Sequence, residues 1–289
     1  MKLLQTRGWE EYALLDSGDG YRLERFGQYC LKRPDPQAVW QKRLPEVWTK
    51  IDAVFAKRGQ DREGWYNETG IPEKWLMHYG DLSFWAKLTP FKHTGVFPEQ
   101  TVEWDWMRGE IAQHERKLHI LNLFAYTGIA SLACAKAGAN VTHVDASRPA
   151  ITWARENQAA SDLRDAPIRW ILDDVLKFVA REIRRGVYYD GVIMDPPVFG
   201  HGPDGERWEF SESFATLFSL IRQVMSDKPA FILINAYAVS VSHLMLWNML
   251  DDFAKDRGGE VESGELALAE SKTGRLLSTG IYGRWSAGK

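Results

Sequence analysis

After residue 118, apolar segments of strand length alternate with amphipathic segments of helix length. This alternation restricts the fold more than any other feature of the sequence. Five strand-like segments are each followed by a helix-like one; they are HILNLFAY, VTHVDA, IRWILDD, YDGVIMDPP and AFILINAYA. Strands and helices alternating at this spacing form βαβ units around a parallel sheet that is buried on both faces. The segments GELALAE and RLLSTGIYGRW have no helix between them and predict a hairpin around Lys272–Gly274. We therefore predict an α/β fold with a doubly wound, mostly parallel seven-stranded sheet that ends in an antiparallel hairpin.

The first third of the chain has a different pattern, with short aromatic-rich runs separated by turns. YALLDSGDGYRLERFGQYCLKRP predicts two strands joined at Ser17–Gly20, and PEVWTKIDAVFAKR predicts a helix. WYNETGIPEKWLMHYGDLSFWAKL predicts short strands with turns at Gly70–Pro72 and Gly80–Asp81. We predict a small β-rich α+β accessory domain over residues 1–92 and the doubly wound domain over residues 93–289.

Composition places the chain among ordinary globular proteins, with 45% hydrophobic and 26% charged residues. No apolar run reaches the roughly 18 residues needed to cross a bilayer, and the N-terminal residues lack the apolar stretch of a signal peptide. The two cysteines, Cys30 and Cys134, show no CxxC or Cys/His spacing, so we expect no metal site. We expect a cytoplasmic protein.

The net charge of −3 argues against nucleic-acid binding through an overall basic surface. The sequence contains two local basic clusters, and each one either faces solvent or contacts a phosphate. They comprise Arg22, Arg25, Lys32 and Arg33 in one run, and Arg181, Arg184 and Arg185 in the other.

In doubly wound sheets, ligands bind outside the carboxyl ends of the strands. After the first strand, LNLFAYTG carries one glycine, Gly128, where a dinucleotide-binding loop prefers three. This difference favours a ligand without a pyrophosphate. Asp145 ends the second strand, 17 residues beyond Gly128, where a carboxylate can accept from both ribose hydroxyls. We expect Ser147, rather than Asp145, to cap the following helix.

The next two strand ends also carry acids. In ILDDV we expect Asp174 to accept from an adenine amino group and Asp173 to serve as a helix cap. In MDPPVF, two prolines make a stiff, non-helical turn that can hold Asp195 and backbone carbonyls toward a pocket. Phe199 offers a stacking face for a flat substrate.

LNLFAYTG, VTHVDAS, DDV and DPPVF, in this order and spacing, resemble class I S-adenosylmethionine-dependent methyltransferases. They are most similar to the branch containing bacterial large-subunit ribosomal RNA cytosine-C5 and guanine-N7 methyltransferases. The resemblance covers residues 93 to about 285 and implies a Rossmann-like fold with S-adenosyl-L-methionine as cofactor. HTGVFPEQ resembles the segment of that branch that helps to cover the cofactor, with Phe97, Glu99 and Gln100 at matching positions. Here Pro98-Glu99-Gln100-Thr101 departs from the usual aromatic pair followed by Asp-Gln-Arg.

The resemblance also implies which residues form the site. The cofactor-binding residues it implies are Phe97, Gln100, Asn122, Phe124, Tyr126, Thr127, Gly128, Asp145, Ala146, Asp174 and Val175. The residues it implies for the acceptor and for catalysis are Asp195, Pro196 and Phe199.

Proline turns of this kind in the class usually serve planar nitrogen acceptors. For an exocyclic amine, Asp195 and the Pro196 carbonyl can accept its hydrogens; for a ring nitrogen, positioning alone suffices. Cytosine C5 requires a thiolate that first adds to the ring. The C5 enzymes of the branch carry that cysteine after the fifth strand, where this chain has FILINAYAVSVS. C5 methylation is therefore disfavoured.

Three interpretations follow from the sequence. The first is methylation of a base nitrogen in RNA, with ribosomal RNA as substrate and the accessory domain gripping it through stacking aromatics. The second is methylation of a protein or a small molecule, which suits the acidic charge balance. The third is a nicotinamide-dependent oxidoreductase or a non-catalytic binding module. The missing glycines and the DPPVF segment weigh against this third interpretation.

Overall fold

The computed structural model of the protein describes residues 2–57 and 63–288. In chain order, its strands are β1 (Lys2–Gln5), β2 (Tyr12–Gly18), β3 (Tyr21–Phe26), β4 (Tyr29–Pro34), β5 (Ala53–Ala56), β6 (Gly64–Asn67), β7 (Lys74–Tyr79), β8 (Leu82–Lys87), β9 (His119–Leu123), β10 (Asn140–Asp145), β11 (Ile168–Leu172), β12 (Gly191–Met194), β13 (Phe199–His201), β14 (Arg207–Glu209), β15 (Phe231–Ala236), β16 (Glu260–Ala269) and β17 (Leu276–Ser286). The helices are α1 (Thr101–Ala112), α2 (Ile129–Lys136), α3 (Arg148–Ala160), α4 (Val175–Arg184), α5 (Phe210–Val224) and α6 (His243–Arg257), with short 3-10 helices at Pro45–Thr49 and Pro98–Gln100.

The chain forms two compact units. The sheet unit comprises Met1–Leu4, Glu103–Leu266 and Gly280–Lys289, and the accessory unit comprises Gln5–Val102 and Ala267–Thr279. The predicted boundary at residues 92 and 93 lies inside the accessory unit, which also takes in the tip of the C-terminal hairpin. The tip belongs there because Ser17 donates from its backbone N, at 3.0 Å, and from Oγ, at 2.6 Å, to the Glu270 carboxylate.

The main sheet has the strand order β1-β16-β17-β15-β12-β9-β10-β11. Strands β11, β10, β9, β12 and β15 run parallel, and β17 runs antiparallel to β15. This confirms the predicted α/β architecture, including the antiparallel hairpin at its end. The predicted number of seven strands is one too few, because the N-terminal segment adds β1 beside β16. A Cβ on Gly264 would lie 1.7 Å from the Lys2 carbonyl oxygen, so glycine permits this close pairing.

The central strands are buried along almost their whole length, as expected for a parallel sheet covered on both faces. All four residues of β12 and all six of β15 are buried, and in β9 only His119 is exposed. Helix α5 packs on the sheet through apolar residues at helical spacing, including Phe214, Leu217, Phe218 and Ile221. Together these residues form the core that holds the strand ends in place.

The accessory unit contains a five-stranded sheet of order β2-β3-β4-β5-β6 and the two-stranded sheet β7-β8. The prediction of a helix over PEVWTKIDAVFAKR is wrong: the segment forms the 3-10 helix Pro45–Thr49 and then strand β5. Residue 58, its last, lies outside the described residues. Strand β5 alternates buried and half-buried residues and pairs with both β4 and β6. Its Val54 and Phe55 favour a strand, and pairing on both sides overrides the weak helical pattern.

The first predicted hairpin of this unit contains one more strand than expected. YALLDSGDGYRLERFGQYCLKRP forms β2, β3 and β4, because a second turn at Gly27 follows the predicted turn at Ser17–Gly20. The predicted turn at Gly80–Asp81 joins β7 and β8.

Within residues 2–57 and 63–288, no helix is both long and apolar enough to span a bilayer.

The packing around β12 leads to a paired prediction at two glycines. A Cβ on Gly191 would lie 2.7 Å from Ile120 Cδ1 and 2.9 Å from Phe231 Cζ, whereas one on the exposed Gly109 of α1 meets nothing within 4 Å. Gly191→Ala should lower the free energy of unfolding by about 1–3 kcal/mol, the usual cost of overpacking a core. Gly109→Ala should raise it by about 0.5–1 kcal/mol, because alanine loses less backbone entropy in a helix. Urea unfolding measures both, and equal effects of the two substitutions would contradict the described packing.

Candidate active site

The predicted ligand edge of the sheet unit lies where the strand order reverses. From β9 the chain winds through α2, β10 and α3 to β11 on one side, and then returns to place β12 on the other side of β9. Leu123, at the end of β9, is in register with Val144 of β10 and with Met194 of β12. The loops that follow these three strands therefore leave the sheet at the same level, at a topological switch point.

The loop after β9 has an unusual backbone. Phe124 and Tyr126 have φ angles of 55° and 47°, in the left-handed region that non-glycine residues rarely adopt. Such residues cost on the order of 1–3 kcal/mol and are concentrated at functional sites. The loop is fixed by hydrogen bonds from Ala125 N to the Val144 carbonyl, at 3.1 Å, and from Asn157 Nδ2 to the Thr127 carbonyl, at 2.9 Å.

Gly128 ends this loop and directly precedes α2. Its φ is +81°, and a Cβ at this position would lie 2.8 Å from the Cβ of Ala154 in α3. Any side chain here would therefore both strain the backbone and push α3 away from the loop.

Asp145, at the end of β10, organises the two neighbouring loops. Its Oδ2 accepts from Tyr126 N at 2.8 Å, and its Oδ1 accepts from Ser147 N at 2.7 Å. Burial raises the pKa of Asp145, and the two backbone hydrogen bonds act in the opposite direction. Burial, together with the Asp145 charge, raises the pKa of Tyr126 to about 12. Each carboxylate oxygen has a second lone pair, so Asp145 can also accept from the hydroxyls of a ligand.

Helices α3 and α4 both begin at side-chain N-caps. Ser147 caps α3, with its side chain accepting from Ala150 N, as predicted. The prediction that Asp173 is the cap of the next helix is wrong. Asp174 has the extended backbone of an N-cap residue and accepts from Lys177 N at 2.9 Å. Asp173 instead forms an ion pair with Arg181, which lies further along α4.

Asp174 keeps a place at the candidate ligand edge despite its role as a cap. Oδ1 of its carboxylate takes the capping hydrogen bond, which leaves Oδ2 able to accept from a ligand. Val175 is the first residue of α4, where backbone N–H groups have no partner within the helix. Together the two residues offer one acceptor and one donor to the edge of a heteroaromatic ring. Ala146 directly follows Asp145 at the end of the neighbouring strand β10 and is half-buried.

Asn122 occupies a different environment from the loop residues. It is buried in β9, and its Nδ2 donates to Ser131 Oγ at 2.9 Å, which in turn lies 3.1 Å from His143 Nδ1. Burial lowers the pKa of His143 to about 3, so the imidazole is neutral. The Asn122 side chain therefore belongs to a hydrogen-bonded chain that joins β9, α2 and β10.

Phe97 and Gln100 belong to the accessory unit. Phe97 directly precedes the 3-10 helix Pro98–Gln100, and its ring centroid lies 5.3 Å from that of His93. Both residues are half-buried, and Glu99 between them is buried, with a pKa raised by that burial. A contact of Phe97 and Gln100 with the cofactor stays a prediction.

The proline turn follows β12 directly. Asp195 N donates to the Leu123 carbonyl at 3.4 Å, so the turn starts beside the end of β9. Asp195 is half-buried, Pro196 is buried, and the Phe199 side chain is 65% exposed. The turn therefore presents an acid, a backbone carbonyl and an accessible aromatic ring within five residues.

The sequence interpretation missed the hairpin that holds this turn. Strands β13 and β14 pair antiparallel, and the buried Trp208 donates from Nε1 to the Pro197 carbonyl at 2.7 Å. The Trp208 ring centroid lies 4.7 Å from that of Phe124, so the hairpin contacts the loop after β9. Gly-Pro-Asp-Gly at residues 202–205 is a turn signal between the two strands that could have predicted this hairpin.

The first basic cluster proves to be internal to the accessory unit. Arg33 is 2% exposed and forms two hydrogen bonds to Glu24, at 2.7 and 2.8 Å. Burial opposes ionisation of Glu24, but Arg22 and Arg33 outweigh it and lower its pKa to about 2. Arg25 donates to the carbonyls of Gly27 and Glu10. Arg22 and Arg33 therefore stabilise the unit and are not available to phosphate.

The second basic cluster, on α4, is partly paired as well. Arg181 pairs with Asp173, and Arg185 pairs with Glu182, whereas Arg184 is exposed.

The described residues include no candidate metal site, and burial raises the pKa of both thiols. Within the described ranges, no group of three or more His, Cys, Asp or Glu residues is placed to hold a metal ion. Burial raises the pKa of the Cys134 thiol in α2 to about 12. Cys30 lies in β4 of the accessory unit, and burial and then Asp52 raise its pKa.

Comparison with known proteins identifies the family. The family model described as S-adenosylmethionine-dependent methyltransferase matches residues 56–219. The chain belongs to this family. A crystal structure of an S-adenosylmethionine-dependent methyltransferase from Agrobacterium tumefaciens is 40% identical, with a TM-score of 0.95, and the match covers 99% of this chain and 94% of that one. The methyltransferase assignment excludes the nicotinamide-dependent oxidoreductase.

Two further similarities are more distant. The ribosomal RNA large subunit methyltransferase K/L of Shewanella sp. (strain MR-4) is 26% identical over 223 residues, covering 72% of this methyltransferase and 31% of the relative. This chain therefore spans less than a third of that protein. A putative methyltransferase, SMU.776, complexed with S-adenosylhomocysteine (SAH), has a TM-score of 0.68 at 18% identity and covers 95% of this chain and 75% of that one, a likeness of fold.

The residues at the carboxyl edge fit the cofactor of this family. Asp145 offers the carboxylate that a ribose requires, and Asp174 with Val175 N offers an acceptor and a donor to adenine. The loop that ends at Gly128 lacks the further glycines that a pyrophosphate would need, and S-adenosylmethionine has no pyrophosphate.

Asp145→Asn tests the predicted ribose contact. The amide has one oxygen in place of two carboxylate oxygens and no charge, and its NH₂ would face either Tyr126 N or Ser147 N. SAH should bind about 10- to 100-fold more weakly, because hydrogen bonds to a charged group contribute about 1.5–3 kcal/mol. Isothermal calorimetry measures the Kd. The exposed Asp165→Asn is the matched control and should leave it unchanged. An unaltered Kd for Asp145→Asn would show that Asp145 does not contact the ribose.

Proposed function

We propose that this methyltransferase transfers a methyl group to a base nitrogen of RNA, with ribosomal RNA as its substrate. The observation that carries the proposal is the position of the Asp195-Pro196 turn. It leaves β12 in register with the end of β9, beside the loop that contains Gly128. An acceptor held by this turn would therefore lie at the same edge of the sheet as the predicted cofactor residues.

When bound, S-adenosylmethionine supplies an electrophilic methyl group on a sulfonium, which needs a well-placed nucleophile and an in-line approach. The Asp195 carboxylate and the Pro196 carbonyl can accept the hydrogens of an exocyclic amine and direct its lone pair. For a ring nitrogen without a hydrogen, the same turn acts through position alone. The exposed Phe199 ring can stack on the flat base and fix its plane.

The turn is stiff enough for this positioning role. Pro196 and Pro197 each have a fixed φ, and the Trp208 indole N–H holds the Pro197 carbonyl at 2.7 Å. This hydrogen bond fixes the orientation of the Pro197 carbonyl and with it the backbone of the turn that carries Asp195 and the Pro196 carbonyl. A small misplacement of a reacting group can cost about 100-fold in rate, so a rigid support is valuable here.

The thiols support a nitrogen acceptor rather than cytosine C5. C5 methylation needs a thiolate at the acceptor site. Cys134 is fully buried in α2, and its raised pKa keeps it protonated. The segment after β15 carries no cysteine.

The names of the relatives support RNA as the substrate class. Matched relatives from Shewanella and from Methylococcus capsulatus are both named ribosomal RNA large subunit methyltransferase K/L. The Methylococcus relative is 32% identical over 153 residues, which cover 53% of this chain and 19% of that protein. A protein or small-molecule acceptor is the second candidate, which the net charge of −3 and the internal pairing of Arg22 and Arg33 favour.

Asp195→Asn should separate chemistry from cofactor binding. The substitution removes the charge and one acceptor from the acceptor site, so kcat should fall by about 100-fold, the scale of a misplaced reacting group. The Kd for SAH should stay the same. The control Asp204→Asn, an exposed acid in the turn between β13 and β14, should change neither value. Radiolabelled methyl transfer and calorimetry give the two numbers. An unchanged kcat with the true substrate would show that the acceptor is held elsewhere.

The substrate itself is tested by mapping methylated nucleotides in cells with and without the gene. Loss of one methylated base nitrogen in ribosomal RNA, restored by the purified enzyme, is the expected result. An identical nucleotide map in both strains would refute the RNA proposal and leave the protein or small-molecule acceptor.

A further inference from the structure

The hairpin of β13 and β14 has two chemically different faces. Side chains alternate along a strand, and Gly200 pairs with Trp208 on the inner face, where Trp208 is 3% exposed. Phe199 and His201 of β13 and Arg207 of β14 are exposed, and His201 is the cross-strand partner of Arg207. These three residues, together with the half-buried Glu209, form what we call the outer hairpin face.

The inner face fixes the hairpin to the sheet unit. Trp208 contacts the Pro197 carbonyl and the Phe124 ring, and Phe210 N donates to the Val198 carbonyl at 2.9 Å. At the other end, Glu206 forms an ion pair with Lys177 in the first turn of α4. Helix α4 begins just after the carboxyl end of β11. The hairpin is thus fixed at one end by the contacts of Trp208 and at the other by the Glu206–Lys177 ion pair, and its outer face is exposed.

The outer hairpin face continues directly from the proline turn. Phe199 is four residues beyond Asp195, and His201 lies two residues further along the strand, at a distance of about 6.6 Å for an extended chain. An accessible aromatic ring beside a guanidinium and an imidazole suits a single-stranded nucleic acid, whose bases stack and whose phosphates accept from cations. Arg207, whose side chain is 68% exposed, can reach such a phosphate.

We propose that the outer hairpin face is a subsite for the single-stranded nucleotides that flank the target base, with Arg207 and His201 contacting their phosphates. The inference rests on the proposed function, because it assumes an RNA acceptor at the proline turn. Phe199 lies between the proline turn and the subsite, and Arg207 and His201 extend the site along the hairpin.

Glu209 gives the subsite a distinctive energetic signature. It lies on the same strand face as Arg207 and forms an ion pair with it. A phosphate must therefore compete with this carboxylate for the guanidinium. Removing the carboxylate charge should strengthen RNA binding, while removing the guanidinium should weaken it. A merely structural role for this ion pair predicts that the two substitutions act in the same direction.

The test is a fluorescence anisotropy titration of a labelled, mixed-sequence 12-nucleotide single-stranded RNA in the presence of saturating SAH. Arg207→Ala should raise the Kd about 3- to 10-fold and reduce the slope of log Kd against log salt by about 1, as for the loss of one phosphate contact. Glu209→Gln should lower the Kd about 2- to 5-fold, because a neutral amide competes with phosphate for the guanidinium less strongly than a carboxylate does. Arg222→Ala, at a half-buried arginine paired with Asp256, is the control and should leave the Kd unchanged.

Thermal unfolding of each variant checks that the hairpin is intact. Equal Kd values for Arg207→Ala and Arg222→Ala, or weaker binding by Glu209→Gln, would overturn the subsite. Methyl transfer separates this outcome from failure of the proposed function. If the wild type methylates RNA and Arg207→Ala has the same KM, the subsite is wrong and the function stands. If Arg207 controls RNA binding but no RNA is methylated, the subsite stands and the acceptor proposal is wrong.

Discussion

The pairing of β9 with a parallel strand on each side is the constraint on which the candidate site depends. Leu123 is in register with Val144 on one side and with Met194 on the other. Because all three strands point the same way, the Phe124–Gly128 loop, Asp145 and Asp195 emerge at one edge. Hydrogen bonds between the loops then couple them: Tyr126 N donates to Asp145, and Asp195 N donates to the Leu123 carbonyl.

Rigidity in the surrounding loops follows from packing against this edge. Left-handed backbone at Phe124 and Tyr126 is unfavourable in isolation. It persists because Val144 and Asp145 of β10 and Asn157 of α3 each hold the loop by a hydrogen bond. Phe124 in turn contacts Trp208, whose indole holds the proline turn. One aromatic contact thus connects the predicted cofactor loop to the proline turn.

The sequence predicted the features that depend on local pattern. Continuous apolar runs identified the parallel strands, and LNLFAYTG, Asp145 and DPPVF follow the strands that they were predicted to follow. Features that depend on tertiary pairing could not be predicted from the sequence. The sequence of β5 predicted a helix, but the segment is a strand because it pairs with β4 on one side and β6 on the other. Asp173 and Asp174 are chemically identical, and only the start of α4 decides which one caps it. The internal pairing of Arg33 with Glu24 joins β3 and β4, so charge spacing along the chain could not reveal it.

We propose that the carboxyl edge beside β9 binds the adenosyl group of S-adenosylmethionine and that the cofactor's sulfur faces the proline turn. A crystal structure of the protein with bound SAH tests this most directly. We expect the ribose hydroxyls to lie about 2.6–3.2 Å from the Asp145 carboxylate, with the sulfur facing Asp195 and Pro196. Ligand density at another edge of the sheet, or a sulfur directed away from the proline turn, would contradict the account.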